Sequence, residues 1–481
     1  MLQLTADAMS DAGPQNLNSK YAWRELAKHG LPKRSAPERV ADFLEIYGLY
    51  DETTAREQAS RCIQCPNPSC VTGCPLCNPI PQWMLLTAEG RFLEAAAVLG
   101  SVANMAEVCA RVCPSDHLCE GKCLLESVSE PVSIQAIEQF LTDYAFKHGK
   151  VNASTAPPNG MKVAVVGSGP GGLACADDLA KRGYAVTVFD LSLTPGGLLV
   201  NGVPAFKLDR SIIQRRIEIL KKRGVTFRLG VRLNEDVTLG DLRTGFDAVF
   251  LGFDSRRARS LDIPGTDLKE VVPAVTFLLL RNTAIPLDVS RTDLTGKRVV
   301  VLGGGDTALD CLRAAIRYGA KEVLGIYRRD QAEMPCSRRD YESAVEEGAK
   351  FEFRAAPVAV LGNEKGEVRG IRLVRTKAGP MGADGRQSFV TSNGNEFALE
   401  ADMVVVAVGF EPLPCPRTGD FGELAINDWG GIIVDDNQMT SVPGVYAGGD
   451  IVRGPSLILH AVRDGRKAAE QIHLRLESLI S

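Results

Sequence analysis

The sequence lacks the features of an exported or membrane-anchored protein. No stretch approaches the roughly 18 uninterrupted apolar residues of a membrane-spanning helix, and the opening residues MLQLTADAMSDAGPQ have neither the basic nor the apolar region of a signal peptide. An excess of positive charge is also absent: 55 Lys and Arg stand against 59 Asp and Glu, a formal net charge of −4. We therefore expect a cytoplasmic protein with no membrane or nucleic-acid partner.

Cysteine, by contrast, is abundant and clustered. Of the 13 cysteines, nine lie close together: Cys62, Cys65, Cys70, Cys74, Cys77, Cys109, Cys113, Cys119 and Cys123. In a reducing compartment such clustering indicates a metal site rather than disulfides. A structural zinc site is one interpretation of such a group of thiolates. Uneven spacing and the Cys74-Pro75 end are typical of ferredoxin-type runs, which favours two [4Fe–4S] clusters. One ligand position then stays open, with Cys77, Cys109 or a carboxylate as candidates.

Hydrophobic patterning divides the chain into a helical part and two nucleotide-binding units. Residues 1–155 carry the cysteines and amphipathic stretches such as VSIQAIEQFLTDYAFKHG, and they end in the linker-like VNASTAPPNG. From Met161 a buried strand, a glycine-rich turn, a helix and a second strand form a βαβ unit, and another begins at Lys297. These patterns predict an α/β protein with an N-terminal helical domain and two Rossmann-like dinucleotide-binding domains.

The first glycine-rich turn predicts a dinucleotide site. Gly167, Gly169 and Gly172 fit G-x-G-x-x-G in GSGPGG, and Asp190 ends the next strand. The first glycine permits the tight turn, the second lets a pyrophosphate approach the backbone, and the third allows close helix packing. The helix N-terminus then faces the phosphates and the acid can bind ribose hydroxyls. These residues alone do not separate FAD from NAD.

The second turn, GGGDTA, has the G-x-G-x-x-A form of the same fingerprint. The following strand leads not to an acid but to Arg328 and Arg329, which would pair with a 2′-phosphate where a carboxylate would repel it. This favours NADPH over NADH. The proposed NADPH residues are Gly303, Gly305, Asp306, Thr307, Ala308, Arg328 and Arg329. Whether Arg338 and Arg339 add to this site or are surface charge stays open.

Longer motifs carry a family resemblance. They are RCIQCPNPSCVTGCP, IPQW, ARVCPSDHLCEGKC, GGLLVNGVPAFKLDR, VVVLGGGDTALDC, YRRDQAEMPCSRRD, GVYAGGDIVRG and AVRDGRKAAE. Together with GSGPGG they closely resemble the small (beta) subunit of NADPH-dependent glutamate synthases, over nearly the whole chain from about residue 35. The same module resembles the NADPH-side portion of dihydropyrimidine dehydrogenase and the ferredoxin:NADP transhydrogenases. The resemblance therefore identifies this module more specifically than it identifies the enzyme that contains it.

The resemblance implies a domain plan and a set of cofactor ligands. It implies two [4Fe–4S] clusters in 1–155, an FAD-binding domain made of 160–292 and 405–481, and an inserted NADPH-binding domain at 293–404. The implied FAD residues are Gly167, Gly169, Pro170, Gly171, Gly172, Asp190, Gly196, Gly197, Leu198, Lys207, Gly449 and Asp450. One cluster would take Cys62, Cys65, Cys70 and Cys123, and the other Cys74, Cys113, Cys119 and a non-cysteine residue that aligns with Glu138. Cys77 and Cys336 depart from the pattern and are expected to be unliganded.

The implied activity is electron input. NADPH would be oxidised by hydride transfer to FAD, and single electrons would pass through the clusters to the FMN of a large (alpha) subunit that also carries an iron–sulfur cluster and makes L-glutamate from L-glutamine and 2-oxoglutarate. No catalytic side chain is assigned, because the cofactors carry this chemistry. The chain has no N-terminal amidotransferase cysteine and no second flavin barrel, so a partner is expected.

Two alternatives stay open. One is a subunit feeding another acceptor, such as a pyrimidine or a ferredoxin. Another is a zinc-stapled nucleotide-binding regulatory protein. A thioredoxin-reductase-like disulfide enzyme is disfavoured, since no C-x-x-C accompanies either nucleotide unit.

Overall fold

The computed structural model describes residues 20–149, 155–253, 256–282, 293–382 and 387–480. The first part of the expected linker (residues 151–154), the expected boundary at 292 and the N-terminal residues 1–19 lie outside these ranges. Within them, no single helix is long and apolar enough to span a membrane, and the pair 92–102 and 106–112 passes that test only when joined across an 88° bend.

The N-terminal region is helical, as its amphipathic stretches predict. Its helices are α1 Ala22–Glu25, α2 Ala36–Val40, α3 Glu52–Ser60, α4 Ser69–Thr72, α5 Ile80–Ala88, α6 Phe92–Val102, α7 Ala106–Val112 and α8 Ile134–Lys147. Asp51 caps α3 by accepting a hydrogen bond from the Thr54 amide at 2.7 Å. The clustered cysteines lie on short helices and on the turns between them, where the chain can converge from several directions.

The first nucleotide unit follows as alternating parallel strands and helices. Its elements are β1 Lys162–Val166, α9 Pro170–Lys181, β2 Ala185–Asp190, α10 Leu198–Asn201, α11 Arg210–Lys222, β3 Thr226–Leu229, α12 Leu239–Gly245 and β4 Ala248–Leu251. Strand β1 is buried at every position after Lys162, as expected of a parallel strand covered on both faces.

The second unit adds a parallel sheet and an antiparallel one. Its elements are β5 Arg256–Ala258, β6 Val271–Pro273, α13 Ala274–Asn282, β7 Arg298–Leu302, α14 Asp306–Arg317, β8 Glu322–Tyr327, α15 Arg338–Glu346, β9 Lys350–Phe353, β10 Ala355–Gly362, β11 Val368–Met381, β12 Gln387–Glu400, β13 Met403–Val406 and β14 Phe410–Pro412. The parallel sheet has the order β6-β13-β7-β8-β9, and the antiparallel sheet the order β10-β11-β12. Strands β5 and β14 pair with each other where the chain enters and leaves this unit.

The chain then returns to the first sheet through β15 Val445–Ala447, α16 Asp450–Arg453 and α17 Ile458–Ile480. Strand β15 pairs with β4, which gives the order β15-β4-β1-β2-β3. The second nucleotide unit is thus inserted in the first, and the predicted fold class is confirmed.

Strand pairing bears on where the inserted unit begins and ends. Both β6 and β13 belong to the second sheet, so residues just after 400 extend the inserted sheet and β15 completes the first. The limits of 293 and 404 stay predictions, and this pairing supports moving them to about 271 and 406.

One hydrophobic core joins the helical region to the first sheet. It includes Trp83 and Phe140 from the helices, Val165 from β1, Leu173 from α9 and Ile472 from α17. A separate core lies under the second parallel sheet. The cysteine-bearing region is therefore packed on the first nucleotide unit rather than tethered to it.

Helix α17 packs against α9 through glycine. A Cβ atom at Gly465 would lie 2.0 Å from the carbonyl oxygen of Gly171. Replacing Gly465 with Ala should therefore force the two helices apart and lower the free energy of unfolding by about 1–3 kcal/mol. Thermal melting of purified protein measures the change.

The matched control is Gly100→Ala in α6, where an added Cβ meets nothing within 4 Å. That variant should gain roughly 0.5–1 kcal/mol, the ordinary advantage of Ala over Gly within a helix. Equal melting temperatures for the Gly465→Ala and Gly100→Ala variants would contradict close packing of α17 on α9.

Candidate functional site

The first glycine-rich turn has the geometry that each of its glycines predicts. Gly167 has φ +98°, and a Cβ there would lie 2.5 Å from the Gly252 carbonyl oxygen. A Cβ at Gly172 would lie 1.8 Å from the Gly167 oxygen, whereas one at Gly169 would meet nothing within 4 Å. The turn is thus closed towards the protein and open beside the N-terminus of α9, where unpaired amides favour an anion.

Asp190 is tied to this turn through Ser168, a contact that sequence reasoning missed. The Ser168 amide and hydroxyl both donate to one Asp190 oxygen at 2.6 Å, and the Ser192 amide donates to the other at 2.7 Å. The Gly196 amide donates in turn to the Ser168 hydroxyl at 3.1 Å. The carboxylate is therefore held at a fixed position at the end of β2.

The other predicted flavin residues lie at the ends of short helices. Gly197 has φ +54°, and a Cβ there would lie 3.0 Å from the Gly169 Cα, so the segment 196–198 packs on the first turn. Gly449, at φ +79°, donates its amide to the buried Asp464 at 3.0 Å. Asp464 also accepts hydrogen bonds from Arg453 at 2.5–2.8 Å. Sequence reasoning missed Asp464 because its role depends on Gly449, which lies 15 residues earlier in the chain.

The second turn repeats the design. Gly303 has φ +143°, a Cβ there would lie 2.2 Å from the Ala407 oxygen, and its amide donates to the Ile326 carbonyl at 3.0 Å. This bond sets the glycine-rich turn beside the end of β8, where Arg328 and Arg329 follow. Helix α14 begins at Asp306, whose carboxylate accepts a hydrogen bond from the Ser337 amide at 3.0 Å.

The two further arginines have other partners. Arg338 is exposed and pairs with Glu342 at 2.8 Å. Arg339 reaches the helical region, where it donates to the Gln135 side chain at 2.9 Å and the Arg111 carbonyl at 3.1 Å. These contacts indicate that both arginines have structural roles and favour excluding them from the nucleotide site.

Four cysteines line one cavity of the helical region. The walls of this partly open cavity contain Cys62, Cys65, Cys70 and Cys123. Burial raises the pKa of Cys62 to about 11 and that of Cys70 to about 12. Buried thiols that lie close together lose their protons and become thiolates only when a metal centre supplies positive charge. The chemistry and grouping of these donors fit an iron–sulfur cluster.

The second predicted group is deeper. Burial, with a smaller effect of Glu138, raises the pKa of Cys74 to about 11. Burial raises the pKa of Cys113 and Cys119 well above the usual thiol value, and Glu138 again contributes. Burial also raises the pKa of Glu138 to about 8. These side chains therefore act on one another, although Glu138 keeps partial solvent exposure.

Cys109 is a close neighbour of this group and hydrogen-bonds to Cys113. Cys77 is exposed and Cys336 is buried elsewhere, beside Asp306 and Asp340. Among the residues that the structure describes, no three Cys, His, Asp or Glu side chains stand at the distances of a metal site. The assignment of individual ligands stays a prediction.

Comparisons with known proteins agree with this division of the chain. Residues 39–150 match the family described as dihydropyrimidine dehydrogenase domain II, 4Fe-4S cluster. Residues 161–465 match the pyridine nucleotide-disulphide oxidoreductase family. The solved structure of Mycobacterium tuberculosis FprA in complex with NADPH covers 68% of this chain and 86% of its own, with a TM-score of 0.56 and 23% identity, and shows a shared fold.

Relatives of nearly equal length decide the family. The glutamate synthase [NADPH] small chain of Azospirillum brasilense is 43% identical over 450 residues, 92% of this chain and 93% of that one. The corresponding small chain of Escherichia coli is 40% identical over 467 residues, 95% and 99% of the two chains. The chain belongs to the glutamate synthase small-chain family. The putative oxidoreductase AegA of Escherichia coli is 41% identical over 460 residues, 92% of this chain and 69% of that protein.

Membership in the glutamate synthase small-chain family confirms the predicted class of enzyme, an NADPH-dependent oxidoreductase. It also confirms the predicted kinds of cofactor, FAD and NADPH with a [4Fe–4S] centre. The number of clusters stays a prediction.

Within this small-chain fold, Lys207 forms a buried ion cluster with the inserted unit. Its ammonium group lies 3.0 Å from Asp310 on α14 and 2.9 Å from Asp340 on α15. Burial raises the pKa of Asp310 to about 6. Burial also opposes the charge of Asp340, yet Lys207 and Arg313 together hold its pKa well below the usual range. The expected proximity of Lys207 to the flavin stays a prediction.

Replacing Lys207 with Met keeps the aliphatic stem and removes the charge that Asp310 and Asp340 share. Because an uncompensated buried charge is strongly unfavourable, we expect the free energy of unfolding to fall by about 3–5 kcal/mol. Urea denaturation followed by circular dichroism measures this loss. Adding Asp310→Asn to the Lys207→Met variant should recover part of it.

The control is Lys221→Met, which removes an exposed ion pair with Glu218 at 2.9 Å and should cost at most about 0.5 kcal/mol. Equal denaturation midpoints for the two methionine variants would mean that the buried cluster contributes nothing to stability.

Proposed function

We propose that this chain is the electron-input subunit of a glutamate synthase. In this proposal it oxidises NADPH and passes electrons, through FAD and two [4Fe–4S] clusters, to the FMN of a large partner subunit that makes L-glutamate from L-glutamine and 2-oxoglutarate. The observation that carries the proposal is the shared hydrophobic core, because it packs the cysteine-bearing helices directly on the first dinucleotide unit.

Polar contacts reinforce this packing. The buried Asn104, at the bend between α6 and α7, donates to the Ala174 carbonyl of α9 at 2.9 Å. Arg216 of α11 pairs through two nitrogens with the buried Glu107 of α7, at 2.7 and 2.9 Å. Such bidentate pairs fix orientation as well as distance. The arrangement supports a rigid path between the two cofactor regions.

The residues named from the sequence are the proposed ligands at each cofactor. When bound, a flavin couples a two-electron hydride donor to one-electron acceptors. The role of the chain is to hold the cofactors. Helices α9 and α14 direct their N-termini at phosphate groups, and Asp190 stands at the end of β2. Arg328 and Arg329 supply positive charge for a 2′-phosphate.

The second candidate function is electron delivery to an acceptor other than the large subunit of a glutamate synthase. AegA favours this candidate, because it is named a putative oxidoreductase and is nearly as similar to this chain as the small chains are. Co-purification of the native protein with a large FMN-containing subunit supports the glutamate synthase proposal, and purification with another acceptor protein contradicts it. The zinc-stapled alternative disagrees with the match to a 4Fe-4S family.

The first measurement is the anaerobic absorbance spectrum of the purified protein before and after NADPH, with iron and flavin assayed on the same sample. We expect flavin bands above a broad iron–sulfur shoulder, bleached far more effectively by NADPH than by NADH. A colourless, zinc-containing sample would contradict the proposal.

Glu138→Ala tests the remaining ligand of the second cluster. If Glu138 is that ligand, iron content should fall towards half of the wild-type value and the cluster EPR signal should change, because a cluster that loses a ligand is held less tightly. Glu126→Ala, at an exposed position, and Cys77→Ser are the controls and should retain their iron. Unchanged iron and EPR in Glu138→Ala would leave Cys109 as the next candidate.

A further inference from the structure

The antiparallel hairpin of β11 and β12 extends beyond the strand that supports it. Both strands have 14 residues, but β10 pairs with β11 only as far as Arg375. The distal part, residues 376–381 and 387–391, continues as a two-stranded arm. A two-stranded ribbon is marginal in stability without further packing, so its contacts indicate what it does.

The arm holds the backbone of the arginine pair that follows β8. The hydroxyl of the buried Thr376 donates to the Arg328 carbonyl at 2.8 Å. The Thr376 amide donates to the Arg354 carbonyl at 2.9 Å, and the Arg354 amide donates to the Arg329 carbonyl at 3.2 Å. Arg354 has φ +54° and pairs with Asp330 through two nitrogens. Both arginines therefore project from a braced backbone.

The arm also supplies an aromatic ring to one of these arginines. The centre of the Phe389 ring lies 4.8 Å from the Arg328 Cζ atom, within the range of a cation–π contact. Phe389 is half-buried on β12, opposite Ala378 of β11. A guanidinium stacked on a ring has fewer rotamers to lose when it binds, so less entropy opposes its pairing with an anion.

We propose that Phe389 is a positioning residue that orients Arg328 for the 2′-phosphate of the nicotinamide nucleotide, and that the β11–β12 arm is a specificity element of this site. The proposal rests on the proposed function, since it takes Arg328 as a nucleotide contact. It extends that function by tying recognition of the phosphate to a segment about 60 residues further along the chain. The Gly303 turn and β8 place Arg328, and the arm selects its side-chain direction.

Binding of two small nucleotides to the purified holoprotein tests this proposal. Adenosine 2′,5′-bisphosphate carries the 2′-phosphate, and 5′-AMP lacks it. In Phe389→Ala we expect the Kd of the bisphosphate, measured by titration calorimetry, to rise about two- to fivefold, as for loss of one exposed cation–π contact. The Kd of 5′-AMP should stay unchanged. In steady-state assays KM for NADPH should rise by the same factor without a change in kcat, and NADH kinetics should stay the same.

Matched variants separate positioning from damage to the arm. Val390→Ala changes the exposed neighbour of Phe389 on the same strand and should bind both nucleotides as the wild type does. Phe389→Trp keeps an aromatic face and should restore bisphosphate binding. In an Arg328→Ala background, Phe389→Ala should have no further effect, because its effect acts through Arg328.

If Phe389→Ala weakened the binding of both nucleotides equally, the proposal would be overturned. That result would mean that the arm supports the whole site and not the contact with the 2′-phosphate. Unchanged bisphosphate binding in that variant would also overturn it. A wild-type protein that binds both nucleotides equally would instead refute the proposed NADPH preference itself, which distinguishes failure of the proposed function from failure of this inference.

Discussion

Buried opposite charges at one junction determine how the parts of this molecule fit together. Arg313, fully buried on α14, donates two hydrogen bonds to Glu347 at 3.0 Å. Arg39, from the N-terminal region, reaches the neighbouring Glu346 at 2.7 Å, and the Phe206 ring lies 4.6 Å below the Arg313 guanidinium. Three segments remote in sequence therefore meet at these charges, and any other arrangement that buried Arg39 or Arg313 without a carboxylate partner would be strongly unfavourable. The inserted unit acquires one orientation relative to the first sheet.

That orientation matters because each nucleotide turn is complete only with help from elsewhere. Gly303 packs against Ala407, which follows β13, and Gly449 is held by Asp464 of the last helix. Ser168 links the first turn to Asp190 at the end of β2. The turns supply amides and helix N-termini, whereas their positions depend on contacts made over long distances in the chain. A site assembled in this way is pre-organised before a cofactor arrives, which lowers the entropy lost on binding.

Local geometry explains which features could be predicted from the sequence. The glycines of both turns, the buried strands and the helix that follows each turn depend on interactions within a few residues, so the sequence pattern determines them. The grouping of Cys62, Cys65, Cys70 and Cys123 required the family resemblance, because Cys123 is remote from the others. Ion pairs of Lys207 were unpredictable for a similar reason: nothing near it in sequence indicates Asp310 or Asp340. Pairing of β13 with the inserted sheet depends on register with β7, which periodicity alone does not give.

The shared core of helices and first sheet also limits how this module can be recombined in evolution. A ferredoxin domain on a linker can be exchanged as a unit, but here Phe140 and Leu173 belong to one continuous apolar interior. A gene fusion that took only the cysteine-bearing segment would leave a large apolar face exposed to water on each product, and both would be prone to aggregate. We therefore expect the two segments to be inherited together as one unit.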